Sequence, residues 1–140
     1  MKKLIALFAL VLFLIVGLVA CGRTEKADNM KSKLKDGGYT VNEYKPAEFD
    51  VKYSSLGGVA KLDGIQTIIV AEKDEKGIFL FVFSKGAQAE AAATPEFLGT
   101  LGSSAKDFAD ENQSSLVGYH NNVIWAGSQK AREVAGLDIK

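Results

Sequence analysis

The N-terminal part of the chain carries its longest apolar run. Seventeen consecutive residues, from Leu4 to Ala20, have no charged or polar side chain, and two lysines precede them. As a helix this run would be about 25 Å long at about 1.5 Å per residue, shorter than a hydrocarbon core of about 30 Å. Two lysines, an apolar centre and a small residue before a cut site are typical of a secretory signal peptide. The pattern therefore predicts that residues 1–20 are removed.

The remainder of the chain predicts a polar tether and one globular domain. Residues 22–29 are polar and have no apolar periodicity, so we expect them, together with Cys21, to form a tether over 21–29. A chain of 140 residues has room for one domain after such a leader, and we place it at 30–140.

Helical spacing of apolar residues recurs along this domain. Met30 and Leu34 lie four residues apart and two glycines follow them, which predicts a short helix. We also expect a helical region in two or three pieces from about 86 to 111, interrupted at 102–104, and a last helix over 129–137. The segment 46–56 favours a helix by its proline and aromatic spacing, although alternate residues there would equally suit a strand.

Alternating and β-branched residues predict five strands. The segment 39–44 is one strand, and 65–73 pairs with 78–84 across a short polar turn. A second hairpin joins 116–120 to 123–126 through two asparagines, residues that tolerate positive φ. We therefore predict an α+β fold, a two-layer sandwich in which an antiparallel sheet of about five strands carries helices mainly on one face.

The strand at 78–84 is apolar on both faces, so something should cover each side of it. One explanation is a curled sheet, or an N-terminal helix that crosses to the second face. The other is that an aromatic row lines a ligand groove or a protein interface. The candidate surface residues are Phe79, Phe81 and Phe83 in this strand, with Tyr119 and Trp125 in the second hairpin.

The residues that end the leader resemble a known processing motif. Leu18-Val19-Ala20-Cys21 resembles the lipobox of bacterial lipoproteins, with an aliphatic residue three before the cysteine and small residues between. The resemblance implies cleavage between Ala20 and Cys21, a diacylglyceryl group on Cys21, and often acylation of the new amino group. Two or more acyl chains hold a protein on a bilayer, whereas one binds only marginally.

This resemblance places the protein on the extracytoplasmic face of a bacterial cell membrane. Gly22 resembles the pattern for outer-membrane sorting in cells with two membranes. Two other interpretations stay open, an uncleaved N-terminal span and a signal peptide followed by an incidental cysteine. Because Cys21 is the only cysteine, the domain forms no internal disulfide.

Charge and motifs narrow the function. With 17 basic and 17 acidic side chains the formal charge is zero, which gives no reason to expect nucleic acid as a partner. His120 is the only histidine and is predicted to lie beside a turn, and the acidic clusters lack the spacing of a calcium loop. We find no nucleophile or phosphate-binding motif and expect no catalytic residue, metal or cofactor.

The predicted function is therefore a non-catalytic binding or interaction module in the cell envelope, held on the membrane by its lipid. Its partner would be an envelope protein, a peptide or a small solute. The alternative is a structural or assembly role, in which the domain forms a homodimer or docks onto a larger complex through its second sheet face.

Overall fold

One antiparallel sheet of five strands organises the fold. The computed structural model describes residues 25–137. The strands run in the spatial order β1-β2-β3-β5-β4, and every neighbouring pair is antiparallel. They are β1 (Thr40–Tyr44), β2 (Ile65–Lys73), β3 (Lys76–Phe83), β4 (Val117–His120) and β5 (Val123–Gly127).

Helices complete the fold within the same range. Five α-helices are present, together with 3₁₀ turns at Ser54–Leu56 and Lys106–Phe108. They are α1 (Ala27–Asp36), α2 (Pro46–Lys52), α3 (Gly86–Ala92), α4 (Pro95–Ala105) and α5 (Gln129–Val134). The predicted α+β class with a five-stranded antiparallel sheet is confirmed. Over residues 25–137, each helix is too short or too polar to span a bilayer.

Both hairpins close with two residues. The sequence predicts this for the second hairpin, whereas for the first it predicts the longer turn 74–77, and β3 already begins at Lys76. Asp74 and Glu75 have φ of 53° and 69° and lie between the paired Lys73 and Lys76. Two positive φ values match the twist of the flanking strands. In the second hairpin Asn121 has φ of 54°, a value that asparagine tolerates better than most residues.

Helices cover both faces of the sheet, so it forms the middle of three layers. This differs from the expected two-layer arrangement with helices mainly on one face. Helices α1 and α5 pack on the first face, where Leu34, Leu80 and Ala131 belong to one hydrophobic core. On the second face α2, α3 and α4 pack against the phenylalanines of β3. The physical reason is the doubly apolar β3, whose two sides each require cover.

Several boundaries differ from the predicted ones. Segment 46–56 is helical, with Phe49 and Leu56 buried on the second face, so its strand interpretation is wrong. Helix α4 continues through 102–104 without the predicted interruption, because burial of Leu101 and Ala105 holds its last turns on the sheet. Helix α1 already begins at Ala27, so the folded region starts inside the stretch predicted as tether.

Candidate functional site

The predicted aromatic row of β3 lies inside the protein. Phe79 is 4% exposed, and Phe81 and Phe83 are fully buried. Phe49 of α2 packs edge-on against Phe81, with ring centroids 5.4 Å apart. These phenylalanines form the core beneath α2, α3 and α4 and line no groove, which corrects the expectation of an accessible aromatic surface.

Tyr119 and Trp125 do not form a joint surface either. Tyr119 is opposite Ile124 in the β4–β5 ladder, so the two share a face, whereas Trp125 points to the other face. Trp125 is 2% exposed and the Arg132 guanidinium lies over its ring, 4.2 Å from the centroid. Of the five candidate surface residues only Tyr119 is open to solvent, with 43% of its surface exposed. The two candidate surface residues of the second hairpin therefore lie on opposite faces of the sheet.

A trough lies beside α3 and the start of α4. The loop over 57–63 forms its other wall. The trough has two lobes of about 330 and 340 Å³ that share Lys61, Leu62, Ala91 and Ala92. Each lobe falls at the lower end of the size range of small-ligand sites. We call this feature the loop–helix trough.

The lining of the loop–helix trough is mixed in character. Small side chains of α3 and Leu62 give it apolar walls, and Phe97 lies in one lobe. Lys61 belongs to both lobes, Glu96 to one and Asp63 to the other. Apolar walls with a few polar groups at the rim are the usual composition of a binding site.

Side-chain hydrogen bonds hold the loop wall in place. Asp50 accepts the backbone N–H of Val59 at 2.6 Å and that of Ala60 at 2.9 Å. Val59 is fully buried against the second-face core, which anchors the middle of the loop. Gly57 and Gly58 have φ of 81° and 87°, which let the chain turn sharply out of the preceding 3₁₀ helix. The loop wall is therefore held by contacts within the chain itself.

A second concave region, of about 240 Å³, lies at the hairpin tip of β2 and β3. Lys73 lies over the ring of Tyr39, 5.6 Å from its centroid, and donates to the carbonyl of Gly37 at 2.9 Å. Burial raises the pKa of Tyr39, and the nearby charges of Asp110 and Asp74 raise it further. This phenol therefore stays protonated at neutral pH and does not serve as a general base.

Asp110, which lines that region, accepts hydrogen bonds from the first turn of α5 and from the residue that caps it. It accepts the Ser128 hydroxyl at 2.9 and 3.0 Å and the Lys130 N–H at 2.8 Å. The Ser128 hydroxyl in turn accepts the Ala131 N–H, as the predicted cap. Gln113 accepts the Gln129 N–H at 3.0 Å. Asp110 thus satisfies one backbone donor and orients the capping hydroxyl at a helix start, which is a structural role.

His120, the acidic clusters and the predicted processing site are the remaining positions that the sequence singled out. His120 ends β4 beside the hairpin turn, as expected. Within residues 25–137 no three His, Cys, Asp or Glu side chains come together in a way that would hold a metal ion. Ala20 and Cys21, the predicted cleavage and lipid-attachment positions, lie outside the described residues.

Comparison with known proteins returns no match: no family model, no curated protein and no solved structure is similar to this chain at a significant level. Its function is therefore argued from its own residues.

The loop–helix trough was not predicted from the sequence. Its walls come from segments about thirty residues apart, and only their packing on one sheet face makes them neighbours. The local signals were the Gly57-Gly58 pair, which marks a turn, and the run of alanines in α3, which leaves space beside a helix.

Proposed function

We propose that this protein is a lipid-anchored, non-catalytic binding module of the bacterial cell envelope, and that it binds its partner in the loop–helix trough. The ligand class that suits the trough is a short peptide segment with apolar side chains, because the two joined lobes would take neighbouring side chains of one extended chain.

The observation that carries this proposal is that both walls of the trough are held by contacts within the chain itself. Asp50 fixes one wall through two backbone hydrogen bonds, and the other wall is a regular helix. A binding site formed in advance avoids the ordering cost that a flexible loop would add on binding.

Lipid attachment is supported by the lipobox-like residues Leu18 to Cys21 and by the leader before them. The test is incorporation of labelled palmitate by the unsubstituted protein and by Cys21→Ala. We expect label only in the unsubstituted protein, in which the leader is also removed. Equal labelling of both would exclude Cys21 as the attachment site.

Binding in the trough is tested by screening a peptide library against the unsubstituted protein and against a variant in which a large side chain fills the trough. Ala91→Trp places a large ring in the part that both lobes share, and Glu90→Trp places the same ring on the neighbouring exposed position outside the lining. Peptides that raise the melting temperature of residues 22–140 should lose this effect in Ala91→Trp and keep it in Glu90→Trp. An effect that both variants keep would place the binding elsewhere.

The alternative role as an assembly protein gains no specific support. It assumed an uncovered second sheet face, and in residues 25–137 helices cover both faces. A homodimer stays a prediction, which the molar mass of the purified protein would test.

A further inference from the structure

We propose that the end of the domain formed by Glu25 and the β4–β5 turn faces the bilayer, with the β2–β3 hairpin tip on the far side. This inference rests on the lipid anchor of the proposed function. It adds an orientation, and the surface that it assigns to the membrane carries Lys26, Ser84, Lys85 and Asn121.

Asn122 binds the first residue of the described fold. Its side chain is fully buried, its Oδ1 accepts the Glu25 N–H at 2.5 Å, and its Nδ2 donates to the Glu25 carbonyl at 2.9 Å. The same Nδ2 donates to the Phe83 carbonyl at 2.8 Å, which ties the contact to the central strand. Asn121 adds a 3.3 Å hydrogen bond to the Glu25 carboxylate. Glu25 is therefore part of the folded domain.

The chain between lipid and fold is short as a result. Four residue steps separate Cys21 from Glu25. At 3.3–3.6 Å per residue they reach at most about 14 Å. The eight-residue tether predicted for 22–29 would have allowed a longer and looser connection.

That reach excludes an inverted domain. Strand β3 has eight residues and is about 26 Å long, and Asn122 joins Glu25 to its C-terminal end. Placing the hairpin tip on the membrane would lift Glu25 by about that length, beyond the reach of about 14 Å. The attachment end is therefore the end nearest to the lipid.

Charge at the attachment end agrees with this orientation. Lys26 and Lys85 are both exposed there, and an anionic bilayer attracts lysines close to its surface. The loop–helix trough lies close by, because its residue Gln88 contacts Gly64, whose carbonyl accepts the N–H of Ser84. The trough would thus open beside the headgroups.

The experiment compares two single thiols in the full-length lipidated protein. With Cys21 acylated, a cysteine introduced elsewhere is the only free thiol. Ser84→Cys lies at the attachment end, and Ser114→Cys lies at the opposite end on the connection to β4; both serines are exposed. Each thiol carries a nitroxide, and the relaxing agent is a nickel chelate on the lipid headgroups of phosphatidylglycerol–phosphatidylcholine vesicles.

We expect the relaxation enhancement at position 84 to exceed that at position 114 several-fold. Equal values, or a larger value at 114, would overturn the orientation. Vesicle flotation and the acyl mass of the same samples separate the two proposals. Protein that floats with equal values contradicts only the orientation, whereas protein that lacks acyl chains and does not float contradicts the anchor and the orientation together.

A second experiment lengthens the chain between Cys21 and Glu25. Inserting about twelve Gly and Ser residues between Arg23 and Thr24 leaves the described fold unchanged but extends the root-mean-square reach to about 22 Å. The difference between positions 84 and 114 should then shrink. An undiminished difference would show that chain length does not set the orientation and would overturn the proposal.

Discussion

Replacing Asn122 with alanine should destabilise the domain by about 3 kcal/mol. The side chain is fully buried and makes three hydrogen bonds, two to Glu25 and one to the Phe83 carbonyl. Each such bond contributes about 1 kcal/mol net, and leaving buried partners without a hydrogen bond adds to the loss. Backbone strain does not enter, because the positive φ of this turn belongs to Asn121.

The assay is urea unfolding of residues 22–140 followed by fluorescence. Trp125 is the only tryptophan and is buried in the first-face core, so its emission reports loss of that core. With an m-value of about 1.5 kcal/mol/M, a loss of about 3 kcal/mol lowers the midpoint by about 2 M. Asn42→Ala is the matched control, because Asn42 is exposed on the edge strand β1, and its midpoint should hardly move.

Asn122→Asp tests the hydrogen-bond donors separately. The carboxylate keeps an acceptor for the Glu25 N–H but turns an oxygen toward the carbonyls of Glu25 and Phe83. Facing acceptors favour the protonated carboxyl, so this variant should be more stable at pH 4 than at pH 7 relative to the unsubstituted protein. Our reasoning fails if Asn122→Ala unfolds within about 0.5 kcal/mol of Asn42→Ala.

Three further predictions concern the core, alkaline pH and the start of α5. Phe81→Ala should cost about 3–5 kcal/mol in urea unfolding because Phe81 is fully buried, while Val51→Ala, at an 84% exposed position, should be nearly neutral; equal costs would contradict the second-face core. Burial raises the pKa of Tyr53 to about 12, so the unfolded phenol ionises first and stability should fall as pH rises from about 10 to 12. Tyr53→Phe should remove part of that fall in unfolding midpoints measured at pH 9 and 11, and an unchanged fall would refute the assignment. Asp110→Ala should cost about 2 kcal/mol, since it frees the Ser128 hydroxyl and a backbone donor of α5, and a loss no greater than that of Val51→Ala would show that this contact is not stabilising.

Local sequence signals were enough for the sheet. The two strands 65–73 and 78–84 are long and rich in β-branched and aromatic residues, and the residues between them suit a tight turn. Their pairing can therefore be predicted from residues that are close in sequence. The second hairpin is specified in the same way by its two asparagines. Such elements depend on residues that are close in sequence, which is why they were predictable.

Contacts between distant segments were not predictable. The Asn122 side chain meets Glu25 across 97 residues, and in the sequence the asparagine looked only like a turn residue. The tether was extended to residue 29 because its polar composition has no period, yet burial of Met30 and Leu34 draws the preceding turn into α1. The loop–helix trough likewise exists only once Asp50 fixes its loop wall.

The contact between Asn122 and Glu25 also separates stability from orientation. If it is lost, the next buried residue along the chain is Met30, which packs in the first-face core through α1. Because α1 begins at Ala27, six residue steps from Cys21 then reach about 21 Å when extended, compared with about 14 Å when Glu25 is held. If the proposed lipid anchor holds, the domain would therefore stay folded on its remaining core while its attachment to the bilayer loosens. On that proposal, loss of the Asn122 side chain would appear in two measurements: the unfolding midpoint and the distance between the domain and the membrane.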